Sequence, residues 1–173
     1  MRHIQRMRGH ATCYLLLPML ILLAAPVSAQ DRVWISDLSA LDRQYMTRQR
    51  TSIDDIARRH FGQGFIGHKD RDLALLQRLL DSGLVRPDQT RELQAMGKIL
   101  GDLLADELGM HWVIYEDKQG RNRALRYQET DKYLFPMTMI SRRQEVANQT
   151  PVREIYQRAV DAITPYRTPL PFQ

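Results

Sequence analysis

Residues 54–67 read DDIARRHFGQGFIG, and the last six, Gly62-Gln63-Gly64-Phe65-Ile66-Gly67, have the G-x-G-x-x-G spacing of a dinucleotide-binding turn. That turn works when a strand delivers the chain into the glycines and a helix N-terminus receives the pyrophosphate. Here Ile53, Ile56, Ala57 and His60 recur at three-four spacing, which is the period of a helix. The first strand-like run lies about fifty residues further on. A helix feeding the glycines leaves no phosphate cradle. The three glycines instead predict a helix–helix corner, with Phe65 and Ile66 turned into the core. A nucleotide-binding parallel sheet is thereby set aside, and an α+β fold is expected.

The helical pattern extends outward from this corner. Before it, Asp37 to about Phe61 reads as helix, with Ser36 as N-cap and a weak point at Thr51-Ser52 that would split it in two. After it, Asp70 to Ser82 reads as a helix capped by Asp70, with Asp72 as a first-turn charge and Gly83 as the left-handed stop. Pro87 opens a third helix that runs to Leu108 and stops at Gly109. Gly97, Gly101 and Ala105 form a small-residue stripe on it. A mid-helix glycine costs roughly 1 kcal/mol against alanine, so the stripe predicts close approach by another element.

The period then changes to two. His111–Asp117 and Asn122–Gln128 predict a hairpin around Lys118-Gln119-Gly120, taken as a three-residue turn with a left-handed glycine. In that register Trp112 faces Arg126 as a cation–π pair, and Asp117 faces Arg121. Tyr133–Phe135 is a short third strand. Residues 137–146 fit helix or strand, with helix favoured. Thr150-Pro151 opens a last helix with Val152, Ile155, Tyr156, Ala159, Val160 and Ile163 on one stripe. Burying that stripe is worth up to about 10 kcal/mol before entropy, so this helix belongs to the core. The fold expected is α+β: N-terminal helices packed on a small antiparallel sheet (hairpin 111–128 plus a short third strand), closed by a C-terminal helix. One domain spans 30–164, followed by an extended Pro-rich tail over 165–173.

The first 29 residues read as a secretory signal peptide. Arg2, Arg6 and Arg8 precede the apolar run Tyr14–Ala25, and Val27-Ser28-Ala29 offers a cleavage site. An uncleaved anchor would need a longer run without Pro18. Cleavage leaves 144 of the 173 residues and takes away three Arg. Lys+Arg falls from 25 to 22 while Asp+Glu stays at 20, so the net charge falls from +5 to +2. That balance argues against nucleic acid as a partner. Cys13 also leaves, so the remaining chain offers no thiolate, disulfide or Cys metal ligand. The expected location is periplasmic or secreted, with no membrane span after cleavage.

Chemistry-bearing motifs are sparse. G-x-S-x-G, H-E-x-x-H and the P-loop are absent. His68, Asp70 and Asp72 alternate near His60, but the two acids have roles in the helix start, so no metal and no cofactor is expected. Asp102 and Asp106 beside Lys98 read as a solvated face, and His111 as a packed strand residue. The candidate binding surface is the hairpin: Trp112, Asp117, Arg121, Arg126 and Arg142, joined by Arg123 and Arg143. Arginines beside aromatics suit an anionic ligand or an envelope partner protein; the alternative is an ordinary solvated hairpin.

LQAMGKILGDLLADELGMHWVIYEDKQGRNRAL (93–125), then LFPMTMISRR (134–143) and VREIYQRAV (152–160), together resemble a bacterial domain family, the domain of unknown function numbered 3806. The resemblance covers roughly residues 93–163 and implies no activity or catalytic residues. The expected function is a non-enzymatic binding or interaction module of the cell envelope. Two alternatives stay open: an enzyme acting on an anionic envelope substrate through Arg121, Arg126 or Arg142, and an immunity-like inhibitor of a toxin. Convergence of His60, His68 or His111 with Asp117 would favour the enzyme.

Overall fold

A computed structural model describes residues 32–167. The signal peptide expected over 1–29 and the last six residues of the tail lie outside that range. The elements are β1 (Trp34–Asp37), α1 (Ala40–Phe61), α2 (Lys69–Asp81), α3 (Thr90–Leu108), β2 (Met110–Asp117), β3 (Gly120–Tyr127), β4 (Tyr133–Leu134), α4 (Pro136–Met139), α5 (Ser141–Glu145) and α6 (Val152–Ile163). The strands form one antiparallel sheet in the order β1-β2-β3-β4, and the class is α+β.

The glycine corner is fed by helix. α1 runs unbroken through Thr51-Ser52 to Phe61, because Ile53 and Ala57 are both fully buried and hold its centre to the core. Gly62 ends it with φ of 64°, in the left-handed region glycine tolerates. Phe65 is buried as expected, but Ile66 is 58% exposed. Asp72 holds the corner closed: its carboxylate accepts the backbone N–H groups of Ile66 (3.3 Å) and Gly67 (2.8 Å). The residue at the α2 N-cap is His68, with no side-chain capping bond; Asp70 instead pairs with Arg153 of α6 at 2.7 Å.

The chain before α1 departs from expectation. Trp34–Asp37 is an edge strand paired with β2, so Ser36 is a strand residue and not a cap. The cap is Ser39, which forms a reciprocal capping box with Asp42. A β-branched and aromatic run beside the free edge of β2 gains ladder hydrogen bonds that a helix there would forgo. α3 likewise begins at Thr90 instead of Pro87. Residues 137–146 are helical, in two short pieces. Pro165 lies in a 3-10 turn (Thr164–Tyr166), so the tail is not extended at its start.

The hairpin register is one residue off the expected one. Met110 pairs with Tyr127 and Asp117 with Gly120, leaving a two-residue turn, Lys118-Gln119. Asp117 stabilises this tighter turn by accepting the Gln119 N–H at 2.8 Å. A slip of one exchanges the faces. Trp112 therefore faces Leu125, and Arg126 faces His111. The face bearing Met110, Trp112, Leu125, Tyr127 and Leu134 joins the hydrophobic core with α2, α3 and α6. All six predicted stripe residues of α6 are buried there.

The small-residue stripe explains how α3 meets the sheet. A Cβ on Gly97 would stand 2.5 Å from the Pro136 carbonyl oxygen and 2.8 Å from Met137 Cα. One on Gly101 would run into the Trp112 ring. The predicted close approach is thus by Pro136 and Met137 and by the Trp112 indole.

Candidate functional site

The five candidate residues, four on the hairpin and Arg142 in α5, separate into three places. Trp112 sits between sheet and helices, where its Nε1–H donates to Asp102 (3.1 Å) and its ring lies 5.6 Å from Lys98 Nζ. The expected Trp112–Arg126 pair does not form, because the register puts the two on opposite faces. Asp102 also accepts from Arg50 (3.1 Å) and from Lys98, which is itself buried. The face read as solvated is thus a half-buried joint tying α1, α3 and β2 together. Arg50 carries the joint on to the glycine corner by donating to the Phe65 carbonyl at 3.2 Å.

Arg126 lies on the outer face of the sheet. It donates to the Thr130 carbonyl (2.9 Å) and to Glu129 (2.6 Å), closing the β3–β4 turn. Its guanidinium lies 6.0 Å from the Tyr133 ring. Arg126 is therefore a turn clasp.

The other three, Asp117, Arg121 and Arg142, border a groove between the hairpin tip and α4–α5. Two adjoining cavities make it up, of about 160 and 200 Å³. They share Asn122, Phe135 and Thr138 as a common wall. One is completed by Gln94, Arg121, Arg123 and Met137, the other by Tyr115, Asp117, Gln119 and Arg142. Tyr115 meets Phe135 edge-on at 5.2 Å and Tyr133 at 5.1 Å, giving the groove an aromatic side. Burial pushes the Tyr133 hydroxyl above its ordinary pKa, so it stays protonated.

Arg121 does not pair with Asp117 across the turn. It reaches Asp42 in α1 with two parallel bonds, 2.9 and 2.7 Å, and Arg123 adds a third at 2.9 Å. Asp42 is 3% exposed and also accepts the Ser39 N–H (3.1 Å) and hydroxyl (2.5 Å). The Arg121 hydrogen bonds hold its carboxyl well below the usual carboxylate range. Two guanidinium groups on one carboxylate leave a net positive charge at the wall. Arg142 adds another: it is exposed and has no hydrogen bond or ion pair to any described residue.

Sequence reasoning missed Asp42, Tyr115, Phe135 and Thr138 as members of this neighbourhood. The S-x-x-D box at Ser39–Asp42 was the available signal for Asp42, but it announces a helix start and says nothing of an arginine partner. The three histidines of the enzyme alternative do not converge. His60 ends α1, His68 precedes α2 and His111 lies on β2; all are exposed, and none lines the groove. His111 is thus not packed as expected. Among the described residues no group of three His, Cys, Asp or Glu is placed to hold a metal, and no helix is long and apolar enough to cross a membrane.

The family model of a domain of unknown function (DUF3806) matches residues 72–156, from the start of α2 into α6. A solved structure from Bacteroides thetaiotaomicron VPI-5482 is similar with a TM-score of 0.68 and 20% identity, over 78% of this chain and 50% of that chain. The likeness is one of fold, and this chain spans half the length of that protein. Comparison with curated proteins finds no match.

Proposed function

For a chain that belongs to the DUF3806 family through residues 72–156, we propose a non-enzymatic binding role in the cell envelope, exerted through the hairpin-tip groove. The observation that carries it is Arg142: an exposed guanidinium without a protein partner among the described residues, beside an aromatic wall and two further arginines. A planar cation in such a setting engages a carboxylate or phosphate of a partner through paired hydrogen bonds. Asp117 at the same rim offers an acceptor, so the groove suits a partner that presents an anion next to a donor. Export rests on the leader-like character of residues 1–29. Among the described residues the enzyme alternative has no histidine at this groove to support it.

The test places a photo-crosslinking residue at Asn122 of the full-length protein in cells that produce it. A discrete adduct at Asn122 that disappears with Arg142→Glu, and does not arise from the same label at exposed His60, is expected. No adduct at Asn122, or one indifferent to Arg142→Glu, refutes the role. Recovery of the protein in the cytoplasmic fraction refutes the envelope location.

A further inference from the structure

A second pocket, of about 330 Å³, opens between α1 and the start of α3 and is lined by Tyr45, Arg48, Gln49, Ser52 and Arg91. The geometry points to a binding site there for a small oxyanion that carries its own N–H or O–H donor, such as the singly protonated form of a phosphate monoester or an N-acylated amino acid.

Three features set this pocket apart. The first is its charge. Arg48 and Arg91 are exposed, come from different helices, and have no ion pair or side-chain hydrogen bond among the described residues. Among the described residues no carboxylate is in the lining. Arg91 stands in the first turn of α3, where the aligned peptide dipoles already present positive charge and disfavour a cation. Two unpaired guanidinium groups at one mouth repel each other, and an oxyanion bridging them relieves that repulsion.

The second feature is an acceptor. Gln49 is 6% exposed, and its Oε1 is buried with no donor among the described residues. An acceptor buried without a partner is destabilising, and most such atoms in native proteins are satisfied by something. Gln49 lines the pocket, and a turn of its amide toward the ligand gives Oε1 the donor it lacks. The Ser52 hydroxyl also has no hydrogen bond among the described residues and supplies a further contact.

The third is a fixed wall. Arg123 lies 4.3 Å from the centre of the Tyr45 ring, and Arg123 is itself held by Asp42. Tyr45 is thereby clamped against the sheet, and the pocket is preformed on one side. The volume suits a small molecule and not a protein segment. The bound arrangement places the oxyanion between Arg48 and Arg91 and its donor on Gln49 Oε1. This site does not depend on the hairpin groove or on Arg142.

The test is an NMR shift titration of the protein purified from producing cells, at about pH 5.5, where a phosphate monoester keeps one O–H, with four probes: phenyl phosphate, N-acetyl-alanine, acetate and N-methylacetamide. Phenyl phosphate, N-acetyl-alanine or both should saturate with a Kd on the order of 1 mM or tighter, and which of them binds identifies the ligand source. Acetate, without a donor, and N-methylacetamide, without a charge, should bind at least about tenfold more weakly. Arg48→Ala and Arg91→Ala, both at exposed positions, should each weaken binding by about tenfold. Gln49→Leu should erase the preference for N-acetyl-alanine over acetate. Absence of saturation with every probe, or indifference to both arginine variants, overturns the assignment. Acetate binding as tightly as the donor-bearing probes overturns the role of Gln49. Equal loss with Arg142→Ala would move the anion to the hairpin groove and also overturn it.

Discussion

Replacing Asp42 by Asn keeps the size of the side chain and removes its charge. In the native fold this carboxylate takes three bonds from Arg121 and Arg123 and two from Ser39, on two oxygens. An amide retains one acceptor and aims an NH₂ group at donors. Breaking a buried ion pair by altering one partner costs about 3–5 kcal/mol. Part of that is recovered here, because Arg121 is 44% exposed and can turn into water. Arg123, 24% exposed and with a buried Nε that has no partner among the described residues, recovers less. A loss of about 3 kcal/mol is expected, or roughly 10 °C in Tm for a domain of this size. Urea unfolding followed by tryptophan fluorescence measures it, and the midpoint should move while the slope does not. Arg121→Ala combined with Asp42→Asn should cost less than the two separate changes summed, because both break the same pair. A loss below about 0.5 kcal/mol for Asp42→Asn would refute the claim that this ion cluster fastens the hairpin to α1.

Two further outcomes follow from the same packing. The folded-state pKa of Asp42 is depressed, so its stabilising contribution is present above the unfolded carboxylate value and is lost as pH falls through the folded one. The stability gap between wild type and Asp42→Asn should hold steady from about pH 5 to 7 and shrink below about pH 4; a gap that grows on acidification would contradict the sign. Gly97→Ala gains helix propensity of roughly 1 kcal/mol but drives a methyl group into the backbone at Pro136 and Met137, which cannot rotate away. Overpacking of about 1–3 kcal/mol should win, so Gly97→Ala unfolds at lower urea than wild type; an equal or higher midpoint would mean the stripe is not a contact surface.

The sequence alone carried the periods. The three-four spacing of Ile53, Ala57 and His60 excluded a strand before Gly62, and with it the dinucleotide turn. The stripe of Val152 to Ile163 marked a core helix, and Gly97 and Gly101 marked a close approach. These are local properties, set by propensity and by which side chains share a face. What tertiary structure decided depends on partners far away in the chain. Trp34–Asp37 is a strand because β2 offers a free edge some eighty residues later. The hairpin register was open to either turn length in the sequence, since a period of two does not say which residues face each other. One step in that register moved Trp112 away from Arg126 and into the Asp102 joint. Arg121 found Asp42 instead of Asp117, 79 positions distant, because a half-buried guanidinium binds most strongly where two oxygens face its fork in a site shielded from water. Pairings of that kind are fixed only once the chain has folded, and they determine which arginines remain free to bind.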